Sequence, residues 1–154
     1  EKVEAKPAVK PAKSKAKLRP LTADYRPSDD EDYMNETHLA YFRRLLETWR
    51  ADILTGAKQT INNLQEESIS LPDIVDRASS ESDKAIELRT RDRQRKLISK
   101  IDSALRRIED GSYGYCEVTG EPIGIRRLEA RPTATLSLEA QERHEKRERT
   151  LRDD

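Results

Sequence analysis

Apolar side chains recur at helical spacing from Leu39 to Ile108, and one short stretch interrupts them: Leu71-Pro-Asp-Ile-Val-Asp-Arg-Ala78. Upstream, Leu39, Phe42, Leu46, Trp49 and Ile53 alternate steps of three and four, the spacing of a coiled-coil seam. Asn35 stands where an N-cap belongs, and Gly56 and Thr60 carry the register on weakly towards Leu64. A first helix is therefore predicted over residues 35–69, about 50 Å long at 1.5 Å per residue. Pro72 disfavours helix in the residue before it, which ends this helix near Ser70, and Asp73 can cap the next one. Beyond the break, Ala78, Ile86, Leu97, Ile101, Ala104 or Leu105, and Ile108 offer a face to the first helix, and Gly111 supplies a stop. The fold class predicted is mainly α: a long antiparallel coiled-coil hairpin over residues 33–110, with an acidic tip at 71–78 built on Asp73 and Asp76.

The remainder of the chain is organised as handle and base. Residues 1–32 form a disordered segment, basic up to residue 20 and then acidic, with six acids between Asp24 and Glu36 against Arg26. The basic tail reads either as a solvated linker or as a maker of phosphate contacts. Residues 111–136 hold four of the five glycines among Tyr, Pro and short apolar steps, which predicts a turn-rich knuckle with little regular structure. Its Tyr113, Tyr115, Val118, Ile123, Ile125, Leu128 and Leu136, with Leu138, are numerous enough for a small satellite core. Ser137 then caps a last charged helix over residues 137–154, with Glu142 four residues before Lys146 and Glu145 four before Arg149.

With 30 basic and 30 acidic residues the formal charge is zero, so net charge gives no reason to expect nucleic-acid or membrane binding. Charge has to be read locally. Arg89-Thr-Arg-Asp-Arg-Gln-Arg-Lys96 carries five cations and one acid, and two readings stay open: a solvated face, or a surface for an acidic or phosphate-bearing partner. No apolar run reaches membrane-spanning length and no signal-peptide pattern opens the chain, so a cytoplasmic protein is expected. Cys116 is the only cysteine, which excludes an intrachain disulfide.

Cys116-x-x-Thr119, followed by Ser137-x-x-Ala140, has the spacing of a four-cysteine zinc knuckle in which three ligands are replaced. Thr, Ser and Ala offer no thiolate or imidazole, so bound structural zinc is not expected and no metal site is predicted. Together with the hairpin, the Asp-x-x-Asp-x-Ala tip, Arg-Asp-Arg-x-Arg-Lys, Gly-Tyr-Cys and the run Gly124-Ile-Arg-Arg-Leu-Glu-Ala-Arg-Pro-Thr-Ala134, this order of motifs resembles the DksA/TraR family of bacterial RNA polymerase factors. The resemblance covers about residues 33–150.

The resemblance implies a hairpin that enters the secondary channel of RNA polymerase without binding DNA. With guanosine tetraphosphate such a factor alters initiation at ribosomal RNA promoters in the stringent response. It assigns Asp73, Asp76 and Ala78 to the tip near the polymerase active site, and Arg93 and Arg127 to polymerase contact. Nucleotide binding falls on Lys100 and Arg131 with neighbours Leu97 and Glu139, and Gln141 stands where the family has a further lysine. A monomer without enzymatic activity is implied, because exposed tip carboxylates lack the pocket that acid–base chemistry needs. A Gre-type transcript-cleavage factor and a coiled-coil adaptor or nucleic-acid-binding protein are the alternatives.

Overall fold

The structure, a computed structural model, describes residues 21–67 and 74–153. Four helices occupy most of this length: α1 (Glu36–Glu67), α2 (Ile74–Asp110), α3 (Ile125–Ala130) and α4 (Leu138–Asp153). The described residues contain no strand, only an isolated antiparallel bridge between Tyr115 and Pro122. Local chemistry sets the helix ends. Asn35 caps α1, its Oδ1 accepting from the His38 amide at 2.8 Å, and Ser137 caps α4, its hydroxyl accepting from the Ala140 amide at 3.3 Å. Gly111 ends α2 with φ +83°, a conformation that costs glycine little, and lets the Ser112 and Tyr113 amides return to the Arg107 carbonyl.

The chain forms two compact units, residues through Arg44 together with Ala104–Asp154, and Leu45–Ser103. The expected 33–110 hairpin thus contributes to both. In the first unit Phe42, Ala104, Tyr113 and Leu128 are fully buried, and Phe42 lies 5.6 Å from Tyr113, centroid to centroid. Burying a large apolar side chain stabilises by about 1.5–3 kcal/mol, so this cluster carries the unit. Ile123 and Ile125 join it as expected. Val118 and Leu138 do not, being 73% and 57% exposed. The six-residue α3 also gives the knuckle more regular structure than its glycines suggested.

Residues 21–32 are expected to belong to the disordered N-terminal segment, but they belong, with residues 33–35, to the first unit and make specific contacts. Pro27 is buried, and the Tyr25 hydroxyl donates to Glu31 at 2.6 Å. The Tyr33 hydroxyl donates to the Gly114 carbonyl at 2.7 Å and accepts from the Gly124 amide at 3.0 Å, tying together two loops of the knuckle. Aromatic residues at the right spots override an acidic composition.

In the second unit Leu46 and Ile101 are fully buried, and Arg50 Nε meets Asp102 Oδ1 at 2.8 Å across the helix pair. Trp49 and Ile53 are half-buried. The face of α2 is not the one anticipated from its apolar residues. Ile86 is 60% exposed, Ala78 is exposed too, and the inward line runs through Ile101 and Gln94. Their apolar character predicts Ile86 and Ala78 in the core, but helical phase relative to Ile101 turns them outward.

Candidate functional site

The expected site residues sit on three elements. Asp73 lies outside the described residues. Asp76 falls in the first turn of α2, its side chain also outside the description, and Ala78 is exposed one turn further on. Arg93 and Lys100 are exposed on α2 and Leu97 is half-buried between them. Arg89, Arg95 and Lys96 are exposed as well, so four of the five cations of the basic stretch face solvent, while Arg91 is half-buried.

In the first unit α3 holds Arg126 and Arg127, and Arg131 is its C-cap, with its amide donating to the Arg127 carbonyl at 2.8 Å. An open hollow of about 550 Å³ lies here, lined by these three arginines, the apolar Ile123, Ile125 and Leu138, and Asp29 of the N-terminal segment. Arg127 is partly committed, since its Nε donates to the Leu136 carbonyl at 3.0 Å. Arg126 and Arg131 are exposed. On α4, Glu139 is exposed in the first turn and the Gln141 amide nitrogen donates to Glu145 at 2.9 Å. Among the described residues of α4, His144 Nδ1 lies 3.8 Å from Glu148, and neither Glu142–Lys146 nor Glu145–Arg149 forms an ion pair. Leu97 and Lys100 belong to one unit, and Arg131, Glu139 and Gln141 to the other.

The four knuckle positions surround a sulfur. Cys116 is 3% exposed, and burial alone would raise its thiol pKa. The Thr119 hydroxyl and the backbone amides of Ser137, Thr119 and Val118 all donate to it, and together they outweigh burial and bring the thiol down to about 6. Ser137 and Ala140 are buried alongside. Cys116 is thus a buried hydrogen-bond acceptor whose donors come from both the 118–119 turn and Ser137 at the start of α4.

Sequence reasoning missed a second polar cluster. His38 is fully buried one turn into α1, with Nε2 3.3 Å from Glu31 Oε2. That is ion-pair distance for a protonated ring, but the alignment makes no hydrogen bond, and both ring nitrogens lack a partner. The same Glu31 oxygen accepts from Tyr25 and from Asn35 Nδ2 at 3.2 Å. These donors hold the Glu31 carboxyl below its usual pKa, while burial, aided by Glu31, pushes Tyr25 up to about 12. The available signal was Tyr25, Glu31, Asn35 and His38 clustered before and at the start of a helix.

Comparison with known proteins follows this architecture closely. Residues 38–108 match the family described as DnaK suppressor protein DksA, N-terminal domain, and residues 111–146 match the prokaryotic dksA/traR C4-type zinc finger. The chain is 66% identical over 132 residues to the RNA polymerase-binding transcription factor DksA of Caulobacter vibrioides, covering 86% of this chain and 93% of that one. This chain belongs to the DksA family. The Escherichia coli K12 DksA, also an RNA polymerase-binding transcription factor, is 48% identical over 127 residues, covering 82% of this chain and 84% of its own length. The structure of transcription factor DksA2 from Pseudomonas aeruginosa superposes with a TM-score of 0.72 at 44% identity, covering 76% of this chain and 90% of that one.

For a DksA-family chain the zinc-finger match raises the question whether these residues suit the metal. They do not. One thiolate, two neutral hydroxyls and an alanine methyl stand at the four positions, and a structural zinc site takes four thiolate or imidazole donors. No group of three or more His, Cys, Asp or Glu side chains suited to a metal occurs among the described residues. Nor is any helix among them long and apolar enough to cross a membrane.

Proposed function

We propose that this chain is an RNA polymerase-binding transcription factor that acts in the cytoplasm as a monomer and enters the secondary channel of polymerase without binding DNA. The observation that carries this reading is its 66% identity, across 93% of that protein's length, to a relative named for that activity. The helical hairpin supports it. In this reading Asp73 and Asp76, with Ala78 behind them, bring negative charge towards the metal-containing active centre of the polymerase. Charge at the end of a lever biases which conformation of nearby mobile elements is populated, and needs no catalysis by the factor itself.

Arg93 and Arg127 meet acidic polymerase surface, Arg127 while its Nε serves the Leu136 carbonyl. Guanosine tetraphosphate is the effector, held between factor and polymerase by Lys100 and Arg131 with Leu97 and Glu139 beside them. Gln141 supplies an amide where a cation would bind phosphate more strongly, so the nucleotide response is retained but weaker. The factor carries no zinc.

In vitro transcription from a ribosomal RNA promoter, with and without the nucleotide, tests partner, direction and ligand together. The protein should repress open-complex-limited initiation, and the nucleotide should deepen that repression. Replacing Asp73 and Asp76 by Asn should abolish the effect while polymerase affinity stays nearly intact. An equal loss of binding would make these acids docking contacts. Gln141→Lys should strengthen the nucleotide response, since a charged contact to phosphate is worth about 1.5–3 kcal/mol. An unchanged response in Lys100→Ala would remove the nucleotide site from this reading.

A further inference from the structure

Within the second unit the inward line of α2 changes character along its length. Ile101 is fully buried, and Leu97 and Ile98 before it are half-buried. Counting back from Ile101 by sevens gives Gln94, Glu87 and Ser80, and seven-residue spacing keeps all four on one side of a coiled-coil helix. Gln94 Oε1, Glu87 Oε2 and Ser80 Oγ are shut off from water and have no hydrogen-bond partner in the protein. Lys84 and Arg91, the half-buried residues that alternate with them, are polar too, so the inward line holds no apolar side chain from Ser80 to Gln94. The large apolar residues of the same stretch, Ile86 and Leu88, are 60% and 53% exposed.

The other helix offers this stretch little grip. Gly56 lies in mid-helix with open space where a Cβ would stand, and Leu54 is 38% exposed. The Thr60 hydroxyl donates back to the Gly56 carbonyl and the Thr55 hydroxyl to the Ala51 carbonyl, each at 3.0 Å. Such back-bonding by threonine slightly destabilises and bends helices. At the opposite end of the unit, Leu46 and Ile101 bury apolar surface and Arg50 pairs with Asp102.

Closing a polar seam removes water from oxygens that receive nothing in return, whereas opening it restores their hydration. We propose that α1 from Ile53 to Asn63 and α2 from Ala78 to Gln94 form a separately opening part of the hairpin. They part and re-form in the folded protein while the end marked by Leu46 and Ile101 stays paired. Gly56 is the point at which the helix yields. The device makes the geometry of this half of the hairpin adjustable at low cost, as local opening units are. It concerns the free chain and does not rest on the function proposed above.

Residue-resolved hydrogen exchange on the full chain tests it. Amides of residues 53–63 and 78–94 should exchange about 10- to 100-fold faster than those of residues 45–49 and 99–103. The double variant Glu87→Leu/Gln94→Leu, which fills the seam with apolar groups, should slow exchange in both stretches at least about 10-fold and leave the paired end unchanged. Should that variant self-associate, Gln94→Leu alone is read in the same way. Uniform protection throughout the second unit, or a filled seam that leaves exchange as fast as before, would overturn the proposal.

Discussion

Two side chains illustrate how single residues close the knuckle. The Cys116 thiol has its pKa lowered to about 6 because four donors favour the thiolate, against an unfolded value near the ordinary 9. A group whose pKa is depressed on folding adds stability when ionised. That contribution is full above about pH 9 and is lost as pH falls towards about 6. The thiolate absorbance of the folded protein should therefore titrate with a midpoint near 6. The difference in thermal midpoint between the native chain and Cys116→Ala should widen as pH rises through that window. Tyr33 does a related job through its hydroxyl, which serves Gly114 and Gly124 at once. Tyr33→Phe leaves the Gly124 amide unpaired at a half-buried site, while the Gly114 carbonyl keeps the Ile123 amide at 2.8 Å, and should cost about 1–3 kcal/mol, read as a lower midpoint in denaturant with unchanged slope. At Glu31 the sign is again that of a depressed carboxyl, so the stabilisation lost in Glu31→Gln should be present at neutral pH and vanish in acid.

At the scale of elements, helix ends were legible in the sequence and helix faces were less so. Asn35, Ser137 and Gly111 act within one turn of themselves, so their roles follow from local backbone chemistry. The inward face of α2 was misjudged at Ile86 because its middle stretch holds too few apolar residues to announce a phase. The buried line through Gln94 is set by Ile101, about two turns further on. The α1 helix carries a plain test of local propensity. Gly56 has nothing within 4 Å of the position a Cβ would take, so Gly56→Ala should stabilise the helix by about 0.5–1 kcal/mol, measured by thermal and denaturant unfolding.

For the whole molecule, the incomplete zinc ligand set at the knuckle puts weight on packing and hydrogen bonds. Buried Tyr113, Leu128, Ile123 and Ile125, the Tyr33 bridge and the donors to Cys116 provide the cohesion that a metal would otherwise supply. Elemental analysis of the purified protein should find far less than stoichiometric zinc, and a strong chelator should leave the thermal midpoint unchanged. Near-stoichiometric metal with a chelator-induced fall of many degrees would contradict this. The sequence by itself determined the two long helices, the caps at Asn35 and Ser137, the stop at Gly111, the missing ligand set and the family, because each depends on residues within a few turns or on a contiguous motif. Only the tertiary structure decided that Tyr33 ties an acidic segment to the knuckle while Tyr25 packs on Tyr41 of α1, that His38 is buried beside Glu31, and that Cys116 is held by amide donors. Those outcomes depend on groups as far apart as Tyr33 and Gly124 meeting in space, where burial and hydrogen-bond geometry outweigh local composition.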